Sequence, residues 1–592
     1  MTDSHGQDLS TDADPKATAP SSAQDASSNK KSDRRWHLAL IALCVLVTLG
    51  TGLIVHGGKD ALGGGRGTEV RVRDGVRNPD EAAYAQQAES ILDRGELTND
   101  FIRHFHVKKS SDITHREDFY PPGNGALIAL SWLVFGRSDA ASTYPSIVFA
   151  CLLLPLLAAF LARRLGASWP FSFGAAVLVL FDPLIRFQSI QGLADIPLTG
   201  AILCAAVCAV RPRGISAMGS GAALALGFWF KPAAILFVPA LALAVFLARP
   251  GKRLGFSFKR RVGHVIAFGF TFLLLASPWM LRNTAVLGSP LYSGNQYLTA
   301  SANDENYSYE YNRRVFWPEA TATDDPNAKS DNEGKDDTEA RGFVQSVLAN
   351  PAQALDRFQT HLLQVVEFHG ASMFGWAFLV AALAFVGDRR IRSLTALCLA
   401  YVLALSAVFA IEDRYLMPLF PVAAAMTFLL AHRVADVLRA TDPANLPGAW
   451  LLSRPGRIAI CLSVVAALPQ GLPFAKEVWN GKTNFVPPND GVSLIAADWA
   501  AENLPDHSVV MANEALRFHH RTGFKTVNTP WDVPEKIEQV VRHYRIDYIV
   551  RTLSGDSTAI SNRKLRVYLR EFGDRWERVP VKLGRFEVYR RK

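Results

Sequence analysis

Long apolar stretches separated by short polar junctions run through most of the chain. They cover His37 to Val55, Ala141 to Ala162, Trp169 to Ile185, Ile196 to Val210, Ser216 to Phe230, Ala233 to Ala248, Val262 to Leu281, Ser372 to Val386, Ser393 to Ile411, Tyr415 to Ala431 and Ile458 to Leu472. Many approach the roughly 20 residues that an α-helix needs to cross about 30 Å of hydrocarbon. The pattern predicts a polytopic α-helical membrane protein with about 11 transmembrane helices. Gly and Pro inside several stretches fit this, because neighbouring membrane helices re-satisfy the backbone groups they free. Gly125 to Phe135 is also apolar but too short for a full span, and reads as interfacial or re-entrant.

The remaining segments are polar. Residues 1–35 are rich in Ser, Asp, Ala and Lys and bury too little surface to offset ordering entropy, which predicts a disordered tail. Residues 36–473 form the predicted transmembrane domain. Arg163 and Arg164, Arg211 and Arg213, the run from Arg249 to Arg261, Arg389 to Arg392, and Arg433 with Arg439 fall at alternate junctions. The positive-inside rule makes that side cytoplasmic, together with the N-terminus. Two long loops, 56–139 and 282–371, then lie outside, as does the C-terminus; the second loop turns acidic between Asn303 and Glu339. Over 485–592 the pattern becomes that of a soluble extracytoplasmic α/β domain. Helices are expected at Ser493 to Asn503, Pro534 to Tyr544 and Asn562 to Phe572, and strands at Ser508 to Met511, Ile546 to Arg551 and Phe586 to Tyr589.

Composition changes this picture little. Hydrophobic residues make up 49% of the 592, charged residues 20%, and the mean hydropathy is +0.10. That near-neutral mean is the average of apolar spans with a polar tail and a soluble domain. It excludes dominant disorder and a small disulfide scaffold. The formal net charge of +9 is carried by the inner junctions as a topology signal and calls for no nucleic-acid partner. Cys44, Cys151, Cys204, Cys208, Cys398 and Cys461 all fall inside predicted spans, and no CxxC or His-rich metal spacing is present. No Gly-rich loop opens a helix of the C-terminal domain, so nothing there points to a nucleotide.

Candidate chemistry gathers at the outer junctions. Asn78-Pro79-Asp80-Glu81 opens a helix in the first outer loop. Structurally, Asn78 is an N-cap, Pro79 suits the first helical position and Glu81 closes a capping box. Functionally, two adjacent carboxylates at the positive end of a helix dipole bind a metal or take a proton. Tyr84 lies one turn on, on the face shared with Ala88, Ile91 and Leu92. Lys231, between two apolar stretches, is a functional candidate by default, with snorkelling at a helix end as the alternative. Arg414 starts a span beside Glu412 and Asp413, which offer it a local ion pair. Arg186 and Arg282 are further outer-face cations. His104, His106 and His115 read individually as loop histidines.

Six features in order support a family resemblance. They are the Asp80-Glu81 pair, Tyr120-Pro-Pro leading to Val-Phe-Gly136, Leu193-Ala-Asp195, Lys231-Pro232, Pro278-Trp-x-x-Arg-Asn283 and Asp413-Arg-Tyr-Leu-x-Pro418. This series resembles the GT-C fold glycosyltransferases that use polyprenyl-phosphate sugars, a superfamily that includes protein O-mannosyltransferases and the lipid A aminoarabinose transferase. The resemblance implies a transferase moving a sugar from a polyprenyl-phosphate-linked donor to a lipid, glycan or protein acceptor on the outer face of the cell membrane. It implies Asp80 as catalytic base with Glu81 beside it. Lys231, Arg414, Asp195 and Tyr84 would serve the donor and its phosphate, and Asp139 would meet a divalent metal ion if one is used. Several relatives carry a basic residue immediately before the Pro-Pro pair, where this chain has Tyr120. The alternative class is a multi-pass lipid or solute transporter, which would place ionisable residues in mid-span or show paired broken repeats.

Overall fold

The computed structural model describes residues 22–57, 79–210, 214–247, 257–294, 314–317, 347–370, 389–408, 413–440, 490–553, 556–581 and 584–592. The predicted spans Ser372 to Val386 and Ile458 to Leu472 lie outside these residues, as do Asn78 and the acidic stretch of the second outer loop. Among the described residues, four helices are long and apolar enough to cross a membrane: Asp33–Leu53, Asp139–Leu165, Phe258–Leu287 and Arg414–Val437. A fifth candidate is bent, Trp169–Leu180 and Pro183–Ser189 meeting at 57°. Here Asp182 caps the second piece by accepting the Ile185 N–H, and Pro183 occupies its first turn. Five apolar helices are shorter: Gly123–Phe135, Asp195–Ala209, Gly214–Phe230, Pro232–Leu247 and Leu394–Ala407.

Apart from Gly123–Phe135, whose Ile128, Ala129 and Trp132 are buried in a second cluster, these helices share one apolar core, in which Leu154, Leu180, Ile202, Leu224, Phe268 and Leu429 are all buried. Leu46, Leu49, Leu53, Ile266, Phe270 and Leu273 on the long helices are instead exposed, as helices that meet lipid require. The five described cysteines carry free thiols.

α1 is Ser22–Gly57 and α2 is Pro79–Arg94, with Asp80 and Glu81 in its first turn and Arg94 in its last, each suited to its end of the helix dipole. Short strands β1 (Thr98–Asn99), β2 (Phe101–Ile102) and β3 (His115–Arg116) come next, then helix α3 (Gly123–Phe135). The single 13-residue helix α3 matches the short apolar stretch, and Leu133, Val134 and Phe135 at its end are exposed.

The C-terminal residues form a six-stranded mixed sheet of order β2-β5-β4-β6-β8-β7, with β4 Val509–Ala512, β5 Lys525–Asn528, β6 Tyr548–Thr552, β7 Trp576–Val579 and β8 Phe586–Arg591. Helices Asp490–Asn503, Ala515–Thr522, Pro534–His543 and Asp556–Glu571 connect or flank these strands. One edge strand, β2, comes from the segment between α2 and α3. It pairs in parallel with β5, Phe101 opposite Thr526 and Ile102 opposite Val527. Ile102, Phe105 and Ile113 of that segment enter the same core as Met511, Val527 and Ile549. The sequence boundary at about 485 therefore does not separate two independent cores.

Candidate active site

Asp80 projects from the first turn of α2 into a cluster drawn from distant parts of the chain. Its Oδ1 accepts the Tyr120 hydroxyl at 2.5 Å and an Arg103 guanidinium N–H at 3.0 Å. Its Oδ2 lies 3.5 Å from Arg414 Nη1. Arg103 also donates to the Tyr120 hydroxyl oxygen and lies over the Phe119 ring at 4.4 Å. Burial alone would raise the Asp80 carboxyl. The charges of Arg103 and Arg414, the Tyr120 hydrogen bond and the nearby charge of Lys231 more than offset it and hold the pKa at about 2. Burial pushes the Tyr120 phenol well above its ordinary range, so it stays protonated and donates. Tyr84, one turn along α2, is buried with its ring 4.8 Å from that of Tyr120.

A second pair stands beside the first. Lys231 sits in extended backbone between Gly214–Phe230 and a 3-10 turn, Pro232–Phe237, where the helix breaks at Pro232. Its Nζ donates to Asp195 Oδ1 at 2.7 Å, and Asp195 opens the helix Asp195–Ala209. The sequence shows no carboxylate next to Lys231; the fold supplies one from 36 residues earlier. Lys231 and Arg414 both lie against the Tyr415 ring, at 4.8 and 5.3 Å from its centre, so one aromatic ring joins the two cations.

Glu81 points elsewhere. It is fully buried, and its Oε1 accepts the Gly192 N–H at 3.1 Å. Asn124 donates to the Gly192 carbonyl at 2.7 Å. A side chain at Gly192 would put its Cβ 3.1 Å from Glu81 Cγ, so glycine is what lets the segment before Asp195 lie on α2. Asp139 is also apart from Asp80. It starts the helix that Ser138 caps, and its Oδ1 is 2.9 Å from His520 Nε2 of the C-terminal domain. Among the described residues no group of three or more His, Cys, Asp or Glu could hold a metal ion. Arg186 bonds Thr51 and Cys151, and Arg282 covers the Trp279 ring.

Arg103 has no counterpart among the sequence candidates, although it makes the closest cationic contact to Asp80. It follows β2 directly, in a run of alternating aromatic and basic residues that carries no recognisable motif. Next to it is a cavity of about 10 Å³, room for about one water, lined by Asn99, Arg103, His104, Glu117 and Tyr120 among others. His104 is buried there, and that burial pushes its ring well below the ordinary histidine range. Glu117 Oε1 accepts the backbone N–H groups of Phe119 and Tyr120 at 2.7 and 2.9 Å and thereby fixes the turn that presents Tyr120.

Comparison with solved structures finds a shared fold over nearly the whole chain. ArnT from Cupriavidus metallidurans bound to undecaprenyl phosphate matches with a TM-score of 0.52 at 13% identity, over 93% of this chain and 97% of that one. Its apo state matches with a TM-score of 0.54 at 12% identity, over 93% and 98%. Arabinofuranosyltransferase AftD from Mycobacteria is similar at a TM-score of 0.43 and 14% identity, over 94% of this chain and 40% of that one. No protein-family model and no curated protein sequence matches the chain. With its apolar helices, its mixed α/β unit and similarity over nearly the whole length of both chains, the chain shares the fold of ArnT.

Proposed function

We propose that the chain is an integral-membrane glycosyltransferase that moves a sugar from a polyprenyl-phosphate-linked donor to an acceptor on the outer face of the membrane, with inversion and with Asp80 as general base. The observation that carries this reading is one ionised carboxylate set among Arg103, Arg414 and Tyr120, with the Lys231–Asp195 pair alongside. The fold shared with ArnT, which binds undecaprenyl phosphate, supports a lipid-phosphate donor.

The chemistry follows from charge. Asp80 removes a proton from the acceptor hydroxyl or amine as that group attacks the anomeric carbon. The bond from that carbon to the phosphate oxygen breaks, and its electron pair leaves on the lipid phosphate. Negative charge therefore moves from the acceptor side to the phosphate, where Lys231 and Arg414 stabilise it more in the transition state than in the ground state. A carboxylate at about 2 is a weak base at neutral pH. A bound donor corrects this: its phosphate competes for Arg414 and brings its own negative charge, and both effects raise Asp80. Asp80 is then a stronger base only when the donor is present.

The test begins with mass spectrometry of envelope lipids, glycans and proteins from a deletion strain, which identifies the missing modification. Asp80→Asn, produced at the wild-type level, should bind undecaprenyl phosphate and fail to restore that modification. Restoration by Asp80→Asn refutes the base, and an envelope unchanged by deletion refutes the transferase.

A further inference from the structure

The C-terminal domain contacts the elements that carry and surround the Asp80 cluster. Strand β5 holds β2 as its parallel edge, and Thr526 N donates to the Asp100 carbonyl at 3.2 Å. Immediately after β2, Asn528 Nδ2 donates to the Arg103 carbonyl at 2.7 Å, while Asn528 Oδ1 accepts the Ala515 N–H at 2.9 Å. The helix that begins at Ala515 packs on α2, where His519 Nε2 lies 2.8 Å from Gln86 Oε1, and its His520 Nε2 meets Asp139 at the start of a separate helix. Leu516 from the same helix is buried with Ala82, Ala85 and Leu193, the apolar residues around the start of α2 and the Gly192 turn.

We propose that the C-terminal domain positions the catalytic centre, with Asn528 as the positioning residue that fixes Arg103 and, through Arg103, the Asp80 carboxylate. This rests on the reading of Asp80 as the base. The argument is geometric. Arg103 has no helix or long strand of its own; its backbone is held by the two residue pairs of β2 on β5 and by the Asn528 amide. Its guanidinium lies 3.0 Å from Asp80, so a backbone shift at residue 103 of about 1 Å moves that contact out of hydrogen-bonding range. The domain is thereby part of the machinery, although none of its side chains touches Asp80 among the described contacts.

Full-length Asn528→Asp separates this from a merely structural role, since it keeps the oxygen that caps Ala515 and removes the N–H that holds Arg103. Transfer is measured in sealed outer-face-out membrane vesicles between pH 3 and 7, with the modification defined by the deletion strain as readout. The expected result is a 10- to 100-fold loss of kcat at pH 7 with KM for the donor within about twofold. The acid limb should also move up toward the ordinary carboxylate range near 4, because Asp80 loses its closest cation while Arg414, Tyr120, Tyr84, Lys231 and Asp195 still surround it. Lys525→Ala, on the same edge but paired with the exposed Asp112, should leave the rate unchanged. If Asn528→Asp is poorly produced, His519→Ala tests the same dependence through the Gln86 contact. Wild-type kcat and acid limb in either well-folded variant overturn the proposal, as does a loss that only follows the amount of folded protein. Asp80→Asn in the same vesicles is the separate arm: activity there removes the base itself, whereas an inactive Asp80→Asn beside a fully active Asn528→Asp removes the positioning role alone.

Discussion

Replacing Arg103 by Gln tests the electrostatics of the centre most directly. Two unit charges about 4 Å apart attract by about 4 kcal/mol at an effective dielectric constant near 20. The Arg103 and Asp80 side chains are 26% and 19% exposed, so solvent reduces this to about 3 kcal/mol, or about two pKa units. The Asp80 carboxyl, at about 2 with Arg103 in place, should then titrate near 4, held from rising further by Arg414 and Tyr120. A carboxyl depressed on folding contributes stability that is present above its unfolded value of about 3.9 and is lost as pH falls toward the folded value. Between pH 5 and 7 the wild type therefore carries about 2 to 3 kcal/mol that Arg103→Gln lacks. The assay is kcat/KM against pH, which reports the free enzyme, together with thermal unfolding in detergent at pH 6. The acid limb should move from near 2 to near 4 and the melting temperature should fall. An acid limb left in place, in a variant that folds and turns over, refutes the claim that Arg103 holds Asp80 ionised.

In the wild type, the acid limb of kcat should lie above that of kcat/KM, since a bound phosphate raises Asp80; coincident limbs in steady-state kinetics would count against that coupling. Lys231→Ala should raise the donor KM by tenfold or more and leave Asp195 a buried charge without its partner, so Lys231→Ala/Asp195→Asn should be more stable than Lys231→Ala alone, as thermal unfolding would show. Gly192→Ala forces a Cβ onto Glu81, 3.1 Å from its Cγ, and should destabilise the fold by about 1 to 3 kcal/mol, measured by unfolding at neutral pH. Burial opposes the charge on His520, but its bond to Asp139 prevails and raises its pKa above the ordinary 6.5. That contribution is complete below about pH 6.5 and is lost as pH rises through the folded value, so protection of Ala515–Thr522 from hydrogen exchange, relative to the intrinsic rate at each pH, should fall across that range in the wild type and not in His520→Gln.

Helix positions were legible in the sequence wherever periodicity and punctuation agreed. Ala141 to Ala162 became Asp139–Leu165, and Pro534 to Tyr544 became Pro534–His543. Asp80 and Lys231 could be picked out because each is a charge at a junction, beside a Pro that stops or starts a helix. Their partners could not be read. Asp195 meets Lys231 across 36 positions, and Arg414 meets Asp80 across 334, so no local spacing encodes either contact. Glu412 and Asp413 are the sequence-local partners for Arg414, and Glu412 lies outside the described residues; what no local pattern could show is that the Arg414 guanidinium also reaches Asp80. Glu81 looked equivalent to Asp80 because it is adjacent. Yet successive helical residues point about 100° apart, which sends one carboxylate to the open cluster and the other into the Gly192 turn. Arg103 and the edge strand β2 were invisible for a related reason: a two-residue strand has no period to detect.

The charge balance of the cluster suits the proposed reaction. Among the described residues Arg103, Arg414 and Lys231 face Asp80 and Asp195, which leaves one positive charge in excess. A sugar linked to a lipid through a phosphodiester carries one negative charge, so the loaded centre is neutral. In the proposed transfer Asp80 would end holding the acceptor proton and the freed phosphate would carry two negative charges, so the total is again zero. Charge has moved within the site without any entering or leaving it, from the carboxylate toward the two cations that share the Tyr415 ring. A site that stays neutral as a whole avoids the cost of an unpaired charge in a partly dry setting at both ends of the reaction. Tyr120 fits the same logic, since a neutral donor there fixes Asp80 without adding a further cation to a balance that Arg103 already completes.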